Sequence, residues 1–365
     1  MLRPGHLLSA RLKLNFSLPK NVAIDLGSSY TRVKVDNTIV FHDRTCIVFH
    51  RESQDIIAIG QTAETFQGKV PSGMRLVRPI RMGKVADVNA THLFLQAVLH
   101  KVNSPAVMLP IPFISQQVVV ANSASTSSVQ KELLRHFARN LHATCSFKPK
   151  SEALFTTLLT PQMRHGTWCC IDIGGMTTEI AIWANGQVLT QQTLEIGGDF
   201  FTKQILSVTK KKYQAEIGWL TAEQIKKNLL CLATATEKEV ELVEERSTTV
   251  SKSRRVKSND ESKFTPIGKF TVRARSSSTD LPTTIALSAS TYVKPLEEVA
   301  QELVWLIKES TQDLSPELLS TALENGILLT GGGSLLPGLA TYLEQQLQTS
   351  ILLSQHPRED VVRGL

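Results

Sequence analysis

Asn21-Val22-Ala23-Ile24-Asp25-Leu26-Gly27-Ser28-Ser29-Tyr30-Thr31-Arg32-Val33-Lys34-Val35 reads as an apolar strand, a tight turn of small residues and a second, alternating strand. The pattern returns where Cys169-Cys170-Ile171 leads into Asp172-Ile173-Gly174-Gly175-Met176-Thr177-Thr178 and then Ile180 and Ile182. Laid over each other without a gap, the two stretches match as Asp25/Asp172, Leu26/Ile173, Gly27/Gly174, Thr31/Thr178, Val33/Ile180 and Val35/Ile182. A chance pair of aspartate-glycine hairpins is the weaker account of that match, and an internal duplication the stronger.

Two such hairpins suit a nucleoside triphosphate. Successive backbone N–H groups of a tight turn form a concave site for phosphate oxygens, which bulky side chains would block. An aspartate at the start of each turn, Asp25 and Asp172, can hold Mg²⁺ through its waters, because this small cation keeps several waters and takes few carboxylates. One D-x-G after a strand is an ordinary turn. The pair gains weight from a third element, where the apolar strand Gly326 to Thr330 empties into Gly331-Gly332-Gly333-Ser334 and then a helix beginning near Leu336 and Pro337. Neither G-x-x-x-x-G-K-[ST] nor G-x-G-x-x-G occurs, so the two commonest nucleotide motifs are excluded.

Strands and helices alternate around these landmarks. Ala106 to Val120 is strand-like around Pro110 and Pro112, and helical spacing marks Thr126 to Leu141, Asp199 to Tyr213, Thr221 to Leu232 and Tyr292 to Thr311. From Glu237 to Ser278 an acidic run passes into a basic, serine-rich one, and roughly Glu244 to Lys263 reads as a disordered surface insertion. Its basic half lacks interleaved aromatics, so no nucleic-acid partner is expected. The 365 residues suffice for two core-forming domains, and the net charge of +7 is too dispersed to name a partner. Five cysteines without metal-ligand spacing fit a reducing cytosol. Residues 1–20 carry Arg3, Arg11, Lys13 and Lys20 among leucines and no acid. They read as an amphipathic membrane arm, a transit peptide or a disordered leader.

Asp25 to Ser29 resembles the first phosphate loop of the actin, sugar-kinase and heat-shock-chaperone ATPase superfamily, Asp172 to Glu179 the second, and Leu329 to Leu339 its adenosine motif. Within it, Val77 to Asp87 and Lys211 to Leu229 are most similar to the bacterial rod-shape-determining family MreB. The resemblance implies an actin-like ATPase fold: α/β, with duplicated ribonuclease-H-like domains around a nucleotide cleft. Residues 21–160 would form the first domain and 161–365 the second, whose C-terminal end returns toward the first. It further implies ATP and Mg²⁺ as cofactors. Gly27, Ser28, Ser29, Tyr30, Gly174, Gly175, Met176 and Thr177 would lie at the phosphates, with Asp25 and Asp172 at the metal. Glu223 and Lys226 would lie near ribose and base, with Gly331 to Ser334 against the nucleoside.

By the same resemblance the chain would be a cytoplasmic filament former acting in cell shape, peripheral on the inner membrane face. Its partners would be other copies of itself and cell-wall synthesis or division proteins. A non-polymerising ATP-binding adaptor of a pilus or division machinery is the alternative, and a small-molecule kinase finds no motif for its base or sugar pocket. Two departures stand out: Tyr30 replaces a small polar residue and Met176 a glycine. Counting back from Asp172 without gaps puts Lys150 where the family has its catalytic glutamate. A lysine there would make a binder without turnover. Two residues on, Glu152-Ala153-Leu154-Phe155 opens a helix similar to the actin version, and a connector shorter by two residues costs little. The expectation is therefore that Glu152 orients the attacking water.

Overall fold

The computed structural model describes residues 21–102, 116–140, 143–229, 232–235, 239 and 269–365. The basic arm at 1–20, the insertion at 244–263 and the strand expected around Pro110 and Pro112 lie outside the described residues.

Two five-stranded sheets share one topology. In the first the spatial order is Ala143–Pro149, Gln116–Asn122, Val22–Leu26, Tyr30–Val35, Thr38–Arg44. The first three strands run parallel and the last three antiparallel. In the second the order is Ile351–Leu353, Ile327–Thr330, Trp168–Ile173, Thr178–Ala184, Gln187–Leu194, again with three parallel strands followed by an antiparallel meander. Each duplicated hairpin thus starts on the central strand of its own sheet.

Strand periodicity fixes what each central strand presents to either side. Val22 and Ile24 enter a core with Phe94, Val98, Leu134 and Phe137 from the helices Val88–Val102 and Ser128–Asn140. Ile171 and Ile173 enter a larger one with Phe201, Ile205, Leu296 and Leu303 from Gly198–Tyr213 and Ser290–Ser310. Each fully buried Ile or Phe contributes about 1.5–3 kcal/mol relative to exposure. The opposite faces, carrying Asp25 and Asp172, turn toward a middle layer. There the helix Lys150–Leu158 puts Leu154 and Phe155 against Ala121 of one sheet and Cys170, Ala181 and Leu328 of the other. The C-terminal helix Asp360–Gly364 packs beside it, with the Thr157 hydroxyl donating to the Asp360 carbonyl at 2.9 Å and Lys148 Nζ to the Gly364 carbonyl at 2.6 Å.

The helix starts shift by one to three residues from the sequence reading, and two of the shifts have a visible cause. The helix expected from Thr221 begins at Trp219, because the Ala222 N–H already reaches the Gly218 carbonyl at 3.0 Å. The helix expected near Leu336 is delayed to Leu339. A 3-10 turn at Gly332–Leu335 intervenes, and Gly338 sits at φ +84°, which ends any helix passing through it.

Candidate functional site

Both hairpins close with the same bond. Gly27 N–H donates to the Tyr30 carbonyl at 3.1 Å, and Gly174 N–H to the Thr177 carbonyl at 2.8 Å. A Cβ on Gly27 would lie 2.6 Å from the Tyr30 carbonyl oxygen and one on Gly174 2.9 Å from that of Thr177, so both turns require glycine. The tips meet across the lobes, for a Cβ on Gly175 would fall 1.9 Å from Ser29 Oγ. Ser28 Oγ accepts from Gly83 N–H at 2.9 Å, and Ser29 Oγ lies 3.5 Å from Asp199 Oδ1. The carbonyls of Gly174 and Gly175 accept from the Gly198 and Asp199 N–H groups at 3.0 and 2.7 Å, which seats the second tip on the first turn of the helix Gly198–Tyr213. Met176 is half-buried and Thr177 buried.

Behind the tips the pairing register sets the electrostatics. Asp25 stands opposite Arg32 and Asp172 opposite Glu179. Arg32 Nη1 pairs with Asp25 Oδ2 at 3.0 Å. No such cation faces Asp172 within its own hairpin. Lys150, the first residue of its helix, reaches in from the other lobe instead, with Nζ 3.6 Å from Glu179 Oε1 and 4.0 Å from Asp25 Oδ1. Burial works to lower the Lys150 ammonium, but Glu179, Asp25 and Asp172 outweigh it and hold the group above the ordinary lysine range. Burial raises Asp172, against the pull of Lys150. Burial also pushes Glu179 up to about 7, Lys150 opposing and Asp172 adding to the rise. Three carboxylates face two cations here, so one proton at Glu179 neutralises the group.

Glu152 is exposed on the first turn of the same helix. Two residues at roughly 100° each turn it about 200° away from Lys150, so the side chain that meets Asp25 and Glu179 is the lysine.

The cluster around Glu223 is also densely paired. Glu223 Oε1 accepts from Thr202 Oγ1 at 2.7 Å and from Lys226 Nζ at 2.6 Å. Its Oε2 meets Lys227 at 2.9 Å and Arg44 Nη2 at 3.1 Å. Burial would raise Glu223, yet Lys226, Lys227 and Arg44 hold it well below the usual carboxylate range. Arg44 also pairs with Glu64 at 2.8 Å and lies 4.5 Å from the centre of the Tyr30 ring, while Lys227 reaches the Tyr30 hydroxyl at 3.3 Å. Arg78 joins Glu64 to Asp199, each at 3.4 Å. The glycine run lies against the second hairpin: a Cβ on Gly331 would meet Asp172 Oδ1 at 2.3 Å and one on Gly333 Ile173 Cγ2 at 2.4 Å, whereas Gly332 has room. Ser334 is buried, its hydroxyl donating to the Gly331 carbonyl at 2.7 Å.

The structure thus gathers Asp25, Gly27 to Tyr30, Asp172, Gly174 to Thr177, Glu223, Lys226 and Gly331 to Ser334 at the junction of the two lobes and leaves the Glu152 side chain outside. Sequence reasoning missed Arg32, Arg44, Arg78, Glu179 and Asp199. The gapless overlay pairs Arg32 with Glu179, and that reversal of charge beside a shared aspartate was a readable signal. Arg44 and Arg78 carried none.

Paired sheets of one topology, with an aspartate-glycine hairpin from each meeting over a third glycine turn, define the actin-like class of two-lobed folds. The MreB/Mbl protein profile matches residues 19–264 and 257–365, and the chain belongs to that family. It is 25% identical over 349 residues to the cell shape-determining protein Mbl of Bacillus cereus, covering 94% of each chain. Among solved structures it resembles MreB5 of Spiroplasma citri bound to ADP, with a TM-score of 0.78, 21% identity and 94% of each chain covered. It also resembles the MamK double helical filament, with a TM-score of 0.68, 17% identity and coverage of 94% of this chain and 97% of that one.

The residues fit the two implied cofactors unequally. Paired turns, the basic groups Arg44, Lys226 and Lys227 and the open side of Gly332 suit a nucleotide, once Ser29 and Gly175 part to admit phosphates. A divalent ion fits poorly, because Lys150 already brings positive charge to the carboxylates that would hold it.

Proposed function

We propose that this chain is a nucleotide-binding, self-assembling actin-like protein of cell-shape determination, acting at the cytoplasmic face of the membrane. The observation that carries the reading is the junction of two duplicated hairpins, Ser29 against Gly175, at the mouth of a cleft closed by Glu223 and Lys226 on one side and Gly331 to Ser334 on the other. Turn amides of Ser28, Ser29, Gly175 and Met176 would hold phosphates, and Glu223 and Lys226 the ribose and base. The ADP in the Spiroplasma relative and the filament of MamK support nucleotide binding and head-to-tail assembly. Peripheral membrane association is part of the proposal. Among the described residues no helix is long and apolar enough to cross a bilayer.

Lys150 favours a second reading, the non-polymerising adaptor, in which ATP is a structural ligand. An ammonium offers three donors and no acceptor, so it cannot orient water for attack. Electron microscopy of the full chain with ATP, with and without anionic liposomes, decides between them. Filaments are the expected result, and a chain that binds ATP but stays monomeric overturns the proposal in favour of the adaptor. Phosphate release from wild type and Glu152→Ala, with ATP binding retained, tests whether Glu152 acts at all.

A further inference from the structure

Asp25 Oδ1 and Glu179 Oε1 are buried and accept no hydrogen bond, although each belongs to a side chain more than nine-tenths buried. They come from different hairpins on different lobes. Lys150 Nζ lies 4.0 and 3.6 Å from them, on a side chain only 15% exposed. A Mg²⁺ ion that keeps its waters stands about 4 Å from the carboxylate oxygens it orders, since each metal–water bond spans about 2.1 Å and a hydrogen bond follows. The ammonium therefore stands at the distance, and supplies the sign of charge, of a water-shelled cation between Asp25 and Glu179, with Asp172 adding its field to the same group. A divalent ion entering beside it would share the same carboxylates with a lysine in a poorly screened interior, where like charges repel strongly.

We infer that Lys150 is a built-in replacement for a divalent cation at the hairpin junction, so that this chain closes its lobes, and holds its nucleotide, without a metal on Asp25 and Asp172. The clause about nucleotide rests on the function proposed above. The clause about the metal does not. Lys150 is in this sense a specificity-determining residue: it sets which cation the cleft accepts, and it does so from a third element rather than from either hairpin.

The test uses the nucleotide-free full chain and Mn²⁺, a spectroscopic stand-in for Mg²⁺. Wild type should leave the free Mn²⁺ resonance unchanged, and Lys150→Ala should deplete it stoichiometrically, an uptake that adding Asp172→Asn abolishes. Lys150→Gln, closer in volume, repeats the measurement if the alanine variant does not fold. Stoichiometric Mn²⁺ uptake by wild type that Asp172→Asn removes would overturn the inference, as would Lys150 variants that fold yet bind none. A second arm measures ATP affinity by calorimetry in EDTA and in Mg²⁺. The ratio of the two dissociation constants should stay within about threefold for wild type and exceed about tenfold for the Lys150 variant. Failure of ATP to bind in either buffer counts against the nucleotide reading, and the Mn²⁺ arm, which uses no nucleotide, still decides the role of Lys150.

Discussion

The two hairpins share a backbone and differ in charge. In the first, the aspartate faces a cation on its own second strand, Asp25 against Arg32 at 3.0 Å, and the turn is electrostatically complete within a few residues. In the second, the aspartate faces another acid, Asp172 against Glu179, and completion comes from Lys150 on the opposite lobe. Duplication preserved geometry while the charge at one cross-strand position diverged. The consequence is structural coupling: the second hairpin is balanced only when the lobes are closed on each other.

Breaking the borrowed charge should have the largest effect. Lys150→Ala leaves Asp25, Asp172 and Glu179 buried with Arg32 as the remaining cation, and removing one partner of a buried pair costs about 3–5 kcal/mol. Chemical denaturation at pH 8 should show that loss. Near pH 5 it should shrink, because Glu179 takes up a proton. A loss under 1 kcal/mol at pH 8 would mean that the second hairpin is not held by the first lobe.

The next effect has the opposite sign. Glu179 is held near 7 in the fold against an ordinary 4.5, so between those values the native state keeps a proton that the unfolded chain has lost. Stability from this group is therefore full below about pH 4.5 and falls as pH rises toward 7. Glu179→Gln removes the charge and should be more stable than wild type at pH 8, by roughly 3 kcal/mol, with no gain near pH 4. Glu223 supplies the contrast. Its depressed value means stability present above the ordinary carboxylate range and lost on acidification, so Glu223→Gln should destabilise at pH 7 and converge on wild type in acid. Parallel pH profiles for the two variants would break the comparison.

Much of the architecture was legible because the duplication is written in adjacent residues. Six gapless matches sufficed to predict two related hairpins, and the sheets around them share one strand order. The charge asymmetry was within reach of the same overlay. It went unread because Arg32 and Glu179 gain meaning only from cross-strand register, which places each beside its aspartate. The choice between Lys150 and Glu152 hinged on where one helix begins. With its first residue at Lys150, helical phase aims the lysine at the cluster and Glu152 at solvent. Arg44 and Arg78 reach the cleft over sequence separations of more than a hundred residues from Glu223 and Asp199, and no local pattern announces such pairs.

A smaller effect separates the two turns by what their glycines touch. Gly27→Ala would strain its own hairpin, since the new Cβ meets the Tyr30 carbonyl at 2.6 Å. Gly175→Ala would strain the junction, with Ser29 Oγ at 1.9 Å and Ser29 Cβ at 2.6 Å. Overpacking of this kind costs about 1–3 kcal/mol. Ser29→Gly should rescue Gly175→Ala and leave Gly27→Ala unimproved, a coupling that thermal unfolding of the double variants reads directly. Equal rescue of both would show that the clash at Gly175 is not with the other lobe.

The smallest effect belongs to the rim. Lys84 and Glu195 also join the lobes, at 3.3 Å, but their side chains are 46% and 58% exposed. Water solvates both ions there whether or not they touch, and holding two long side chains together costs rotamer entropy, so exposed pairs contribute about 0–1 kcal/mol. A double-mutant cycle of Lys84→Ala and Glu195→Ala should give a coupling within that range that fades further at about 1 M salt, where the screening length falls to roughly 3 Å. The same cycle on Lys150 and Glu179 should give a larger coupling that salt barely changes, because the pair is shielded from solvent. If the rim pair proved as strong and as salt-resistant as the buried one, the lobes would be held by their whole facing surface, and the second hairpin would have no special dependence on Lys150.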